Sequence, residues 1–382
     1  MINASLFANL LTVAAGAPIP NTDPLGYGIP PLIFQLLSYL TFSMHLMAMN
    51  FTVGGAILFL WLHFRKNDAS LPIRRYLGGG LPLGMSYVVT LGIPPLLFVQ
   101  VLYGQMFYSS SILIAAHWIL IIPLLITAYG HFYLHKLTRD KRKKRQGAIV
   151  LIGLIAMLLI GFFYSNNITL SQTPEKWLSM YASKPHGMAL NLSEPTLFPR
   201  FLLFITPAIA VSGLGIILAG AFLTRWGREV EGAAFKAFGK SVVPLGLLLQ
   251  ALCALWVVAV LPERISAYVL SGNTATLLLV AGVVLVALAM ILALVAAKSK
   301  GILLPMLSSV LAYAAIFCHA AMRDMVRLQY LVPHFDLSQV PLKAQWGMFG
   351  IFVVTLVAGL ALLIVLMLKV FPGMAAAAAA KK

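Results

Sequence analysis

Three histidines, His45, His117 and His319, stand inside long apolar runs of this 382-residue chain. Imidazole is the commonest protein ligand of haem iron, and facing helices of a bundle can offer such ligands into a shared core. The plainer use of an intramembrane imidazole is a hydrogen bond to a neighbouring helix. Spacing adds to the first reading: His45 lies 20 residues before Arg65, His117 lies 19 before Lys136, and His319 lies 19 after Lys300. At a rise of about 1.5 Å per residue, each sits roughly 28–30 Å from the basic boundary. The three histidines therefore share one layer, on the side away from the basic loops.

Other side chains join this chemistry. Met44, Met47 and Met49 flank His45, and a thioether serves either as an axial haem ligand or as packing. Arg323 and Arg327 follow His319; guanidinium matches the carboxylate geometry of haem propionates, or else supplies simple flanking charge. His131 and His135, at i and i+4 beside a basic loop, have the spacing to chelate a metal. No acid or thiol stands nearby, which favours snorkelling to the interface. Tyr87, Tyr103, Phe107 and Tyr108 fit an interfacial belt or the wall of a quinone pocket.

The elements that position these residues are membrane helices. With 61% hydrophobic and 10% charged residues, the chain needs a bilayer as its solvent. Apolar runs predict spans at 31–64, 78–106, 109–135, 147–164, 200–224, 241–262, 274–297, 301–321 and 346–369. That is an all-α, polytopic bundle of about nine transmembrane helices. A net charge of +17 would suggest nucleic acid in a soluble protein. Here the basic residues cluster after alternate spans, which places them in the cytoplasm, the N-terminus outside and the C-terminus in the cytoplasm.

The expected organisation is an outside arm over 1–30, one transmembrane domain over 31–370, and a cytoplasmic tail over 371–382. Within the domain, the loop after Lys136 separates a four-helix part, 31–164, from a five-helix part, 200–370. The apolar stretch from Leu6 to Pro18 lacks a basic n-region and reads as part of the arm, not a cleaved signal. All ten acidic residues fall in expected loops, Asp324 among them, so no carboxylate relay crosses the bundle. No internal repeat recurs, which weighs against a transporter. Cys253 and Cys318 read as core residues.

The stretch LSYLTFSMHLMAMNFTVGGAILFLW, residues 37–61, resembles the opening helix of the cytochrome bd quinol oxidase large-subunit superfamily. LGIPPLLFVQVLYGQ resembles that family's second-helix segment, and YSSSILIAAHW with TAYGHFYLH is similar to bd-like relatives that do not reduce oxygen. Nine helices with an outside N-terminus are also implied. By this resemblance His45 matches the first-helix haem ligand, and His319, upstream of MRDMVRLQYL, falls near a ligating glutamate of the family. There are departures. The family's third-helix acidic residues and its GRQPW motif are missing, its fifth-helix histidine position reads Arg200-Phe201-Leu202-Leu203, and its long quinol loop is absent.

The resemblance thus implies a bd-like membrane subunit of a respiratory complex in the inner membrane, not itself an oxygen reductase. Its cofactors would be b-type haem, held through His45 with His319 or His117, and quinone. Its partners would be lipid and other subunits, such as c-type cytochromes or iron–sulfur proteins, with no nucleic acid. The alternative is a haem-free anchor for the soluble subunits of such a complex.

Overall fold

A computed structural model of the chain describes residues 19–22, 24–65, 68–139, 141 and 145–379. Residues 1–18 of the expected arm, the basic run 142–144 and the terminal Lys381 and Lys382 lie outside the described residues. The described residues fall into two compact units: 19–21 with Gln35–Asp336, and Thr22–Phe34 with 337–379.

Among the described residues, twelve α-helices follow in order. They are α1 (Pro31–Phe64), α2 (Leu71–Leu113), α3 (Ala115–Thr138), α4 (Gln146–Ser171), α5 (Trp177–Ser183), α6 (Leu197–Ile205), α7 (Pro207–Arg225), α8 (Glu229–Val260), α9 (Glu263–Leu270), α10 (Thr274–Ala296), α11 (Leu303–Leu331) and α12 (Trp346–Ala379). With α6 and α7 joined as one span, nine helices among the described residues are long and apolar enough to cross a membrane. Helices satisfy every backbone donor internally, which is why hydrocarbon selects them.

In the larger unit, one core runs through the first six spans. It gathers Val53 and Phe59 of α1, Leu81 and Met85 of α2, Phe132 of α3, Leu154 of α4, Ile216 of α7 and Phe235 of α8. The closest packing joins α7 to α8, where Gly232, Gly239 and Gly246 recur every seven residues. A Cβ on Gly239 would stand 2.5 Å from the Gly213 carbonyl oxygen, and one on Gly220 would stand 2.7 Å from that of Gly232. Such contact of bare backbones is how helices gain association energy where lipid offers no hydrophobic drive. Large apolar side chains such as Leu252, Leu277, Val284 and Ile291 remain exposed, as a surface facing lipid requires.

Two features of α2 and α11 depart from the expected spans. Inside α2, Tyr103 leaves helical geometry at φ −133° and ψ 31°, eight residues beyond the Pro94-Pro95 pair. Helix α11 continues to Leu331, so Arg323, Asp324 and Arg327 lie in a helix and not in the loop expected over 322–345.

In the second unit, Tyr27 and Leu342 form an isolated parallel bridge. Tyr27 N donates to Pro341 O at 2.7 Å, and Gln345 N donates to Gly28 O at 2.6 Å. Gly26 makes the approach possible, with φ +66° and no room for a Cβ beside the Pro341 carbonyl. Burial pushes the Tyr27 phenol up to about 12.

Candidate functional site

At one end of the larger unit, α1, α2, α6 and α11 gather titratable groups around Asp324. That carboxylate is 7% exposed. Its Oδ2 accepts from Tyr39 at 2.9 Å, from Tyr103 at 3.0 Å and from Gln35 at 3.3 Å. Its Oδ1 accepts from Arg327 at 2.9 Å, and Arg327 in turn lies over the Tyr103 ring at 4.8 Å. The break at Tyr103 turns its phenol to this acceptor. A buried carboxylate persists only when its charge is paired and its lone pairs are filled, and these four donors do both.

This overturns the expectation that all ten acidic residues occupy loops. The hydropathy signal stops at Arg323, but Asp324 and Arg327, at i and i+3, neutralise each other and let the helix continue. The three-residue spacing was the available signal. The contributions of Gln35, Tyr39 and Tyr103 depend on tertiary packing, and no local pattern marks them.

Two further arginines stand close by without a carboxylate partner of this kind. Arg323 is held between the rings of Phe42 at 4.5 Å and Phe204 at 5.4 Å. Arg200 donates to Gln172 Oε1 at 2.7 Å and lies over Tyr330 at 5.0 Å, while its second terminal nitrogen has no hydrogen-bond partner among the described residues. In the loop beside them, Glu194 accepts from Lys176 at 2.7 Å and from Thr196 at 3.0 Å. Burial raises the Glu194 carboxyl, but Lys176 and Thr196 outweigh it and hold the group below its ordinary range.

His45 lies one turn from Phe42 on α1, its ring stacked on the Phe42 ring at 6.3 Å between centroids. Its Nδ1 is 3.0 Å from the Val88 carbonyl oxygen of α2. A carbonyl only accepts, so Nδ1 carries the proton and Nε2 keeps its lone pair. This is how proteins orient a metal-ligating imidazole. Gly92 completes the seat, since a Cβ there would fall 2.9 Å from Nδ1.

The other two histidines of the expected layer are placed differently. His319 packs its Nε2 on Gly282, where a Cβ would stand 2.5 Å away. It borders an apolar cavity of about 60 Å³ lined by Ala210, Leu247, Met290 and Ala312. That volume admits a few waters and no macrocycle. One turn beyond His319 on α11, Arg323 lies over Phe42, on which the His45 ring stacks. His117 faces α4, with its ring 5.2 Å from Phe163 and its buried Nδ1 lacking a hydrogen-bond partner among the described residues.

The i, i+4 pair on α3 does not converge on a metal. His131 Nδ1 bonds its own helix at the Thr127 carbonyl, 2.8 Å away. His135 is 4% exposed and does not snorkel, because its ring packs edge-on to Phe59 in the core. No group of three or more His, Cys, Asp or Glu side chains suited to a metal ion occurs among the described residues.

For a haem, the fit is best at His45, where a fixed Nδ1–H, a glycine seat and a nearby arginine coincide. Fold and site together define a multi-pass helical membrane protein with a buried polar centre at one end. Set against models of known protein families and against curated proteins, the sequence matches none of either.

Proposed function

We propose that this chain is the membrane subunit of a bd-like electron-transfer complex of the inner membrane, binding b-type haem through His45 near the outer face. The observation that carries the reading is the His45 Nδ1–H bond to the Val88 carbonyl, which leaves the Nε2 lone pair free of that bond and able to serve as a ligand. When bound, haem supplies a one-electron centre. The chain's own groups do the rest. Val88 fixes the tautomer, Gly92 gives room, and Arg323 offers a guanidinium to a propionate. Arg327 is held by Asp324, so of the two arginines it is the structural one. Of the two further ligands expected, His117 remains the candidate, since His319 is packed on Gly282 beside a cavity of about 60 Å³. Quinone is the membrane-side electron partner, and redox subunits such as c-type cytochromes or iron–sulfur proteins are the others. Oxygen reduction is not part of the proposal, because the family residues for it are missing from this sequence.

A second reading, a haem-free anchor for soluble subunits, is favoured by the tight packing at His319, whose cavity of about 60 Å³ is too small for a macrocycle. Anaerobic mixing of the oxidised, detergent-purified chain with a short-chain quinol separates the two. The electron-transfer reading predicts b-type absorption bands that grow on mixing, with no oxygen consumption when air is admitted. A folded preparation without haem bands leaves the anchor.

A further inference from the structure

We propose an anionic-phospholipid site at the basic-loop end of the larger unit, in the cavity between the first turn of α2, the last turns of α7 and the first turns of α8. It stands apart from the haem reading, and neither depends on the other. The cavity has a volume of about 330 Å³, against about 60 Å³ for the one beside His319. Small-molecule pockets run from roughly 300 to 1,000 Å³, so there is room for a phosphate headgroup and its glycerol but not for two acyl chains. The lining residues Pro72 and Tyr76 lie just past the start of α2 at Leu71, and Trp226 just past the end of α7 at Arg225. That is the level of lipid headgroups, on the side where the basic residues gather.

Close backbone contact makes the frame of this cavity. Gly227 takes φ +79° and turns α7 into α8, with Arg228 N donating to the Leu223 carbonyl at 2.9 Å. A Cβ on Gly232 would stand 2.6 Å from the Gly220 carbonyl oxygen, so the two helices are fixed beside the opening. Aromatic rings make the walls. Tyr76 meets Phe235 edge-on at 5.5 Å, and Phe222 packs on Trp226 at 5.7 Å. Tyr76 is nevertheless 50% exposed and Trp226 63%, so part of each ring is left for a ligand. Amphipathic rings suit the boundary between headgroup and chain. From Tyr76, one face of α2 continues into the span through Gly80, Leu83 and Tyr87, all exposed. A Cβ on Gly80 would meet nothing within 4 Å, and this face gives an acyl chain its track.

Charge decides which lipid. Arg228 lines the cavity together with Glu231, its ion-pair partner one turn along α8. Arg75 and Arg225 immediately precede the lining residues Tyr76 and Trp226, and both are exposed. Glu229, the other acid of this turn, is paired with Lys300 at 3.8 Å. Three guanidiniums against one lining carboxylate leave an excess of positive charge. A phosphodiester answers it, and guanidinium geometry matches phosphate oxygens. Aromatic rings beside a carboxylate also suit a quaternary ammonium, but the same excess repels it. A neutral quinone would leave the arginines unused, and here it would sit roughly 28–30 Å from the layer of His45.

The test is native mass spectrometry of the full-length protein, purified in detergent with whatever subunits accompany it and titrated with dioleoyl phosphatidylglycerol or dioleoyl phosphatidylcholine. Arg228→Gln and Trp226→Ala alter the cavity. Arg145→Gln, at the start of α4, removes an equal charge from the same end of the bundle without lining the cavity. Gel filtration and circular dichroism check folding. The proposal expects one phosphatidylglycerol per chain, held more tightly than further copies and than phosphatidylcholine. Its affinity falls about fivefold in Arg228→Gln, the worth of one arginine to an anionic lipid. It falls in Trp226→Ala as well, and Arg145→Gln leaves it unchanged. Equal affinity for the two lipids, or equal losses in Arg145→Gln and Arg228→Gln, overturns the site in favour of diffuse charge. Displacement of the lipid by an equal concentration of soluble glycerol phosphate, or a co-purified quinone lost in Trp226→Ala, overturns the ligand class.

Discussion

The side chains that decide this protein's chemistry are those whose polar atoms are fixed by a neighbour. At His45 the Val88 carbonyl sets the tautomer, and at Asp324 four donors fix a buried carboxyl group. Removing that charge strands Arg327, so Asp324→Asn is expected to destabilise by about 3–5 kcal/mol, the usual cost of breaking a buried pair from one side. Thermal unfolding in detergent measures it, and the double variant Asp324→Leu with Arg327→Met recovers most of the loss. An unchanged melting temperature in Asp324→Asn would mean the pair is not holding α1, α2 and α11 together. Glu194 gives a pH signature. Its folded pKa lies below the ordinary carboxylate value of 4.5, so its stabilisation is complete above that pH and is lost as pH falls through the lower folded value. Between wild type and Glu194→Gln, the gap in melting temperature should narrow progressively as pH falls below 4.5 toward the lower folded value. A gap that persists there would assign the effect to shape instead of charge. The histidines and arginines were legible in the sequence as candidates. Their partners were not, since the Val88 carbonyl meets His45 only through the register of α2 against α1.

Among the elements, hydropathy alone located all nine spans, because hydrocarbon thickness sets a length that few other sequences satisfy. Their ends were less legible. Helix α11 outruns its apolar stretch by pairing charges along one face, and α4 runs to Ser171, with Asn166 and Asn167 fully buried and bonded across to Asn191 and Ser110. The heptad spacing of Gly232, Gly239 and Gly246 was present in the sequence but meant little until α7 was seen against it. It makes a contrast between two glycines. Gly239→Ala drives a Cβ into the Gly213 carbonyl and is expected to cost about 1–3 kcal/mol. Gly130→Ala on α3 meets nothing within 4 Å and should gain up to about 1 kcal/mol of helix propensity. Melting temperatures moving in opposite directions confirm the α7–α8 contact, and equal shifts would contradict it.

At the scale of the whole molecule, the fold class is that of a multi-pass membrane protein, and nearly all the titratable groups inside its spans lie toward one end or the other. That distribution was visible in the chain from the positions of its histidines, whereas the buried acid at Asp324 was hidden by a span boundary drawn on hydropathy. The central claim is that His45 holds haem iron. The reduced-minus-oxidised absorption spectrum of the purified chain, beside that of His45→Ala, tests it most directly. The account predicts a b-type α-band in wild type, diminished in a variant that is folded to the same extent. A wild-type spectrum without that band, or a band untouched by the substitution, would contradict it.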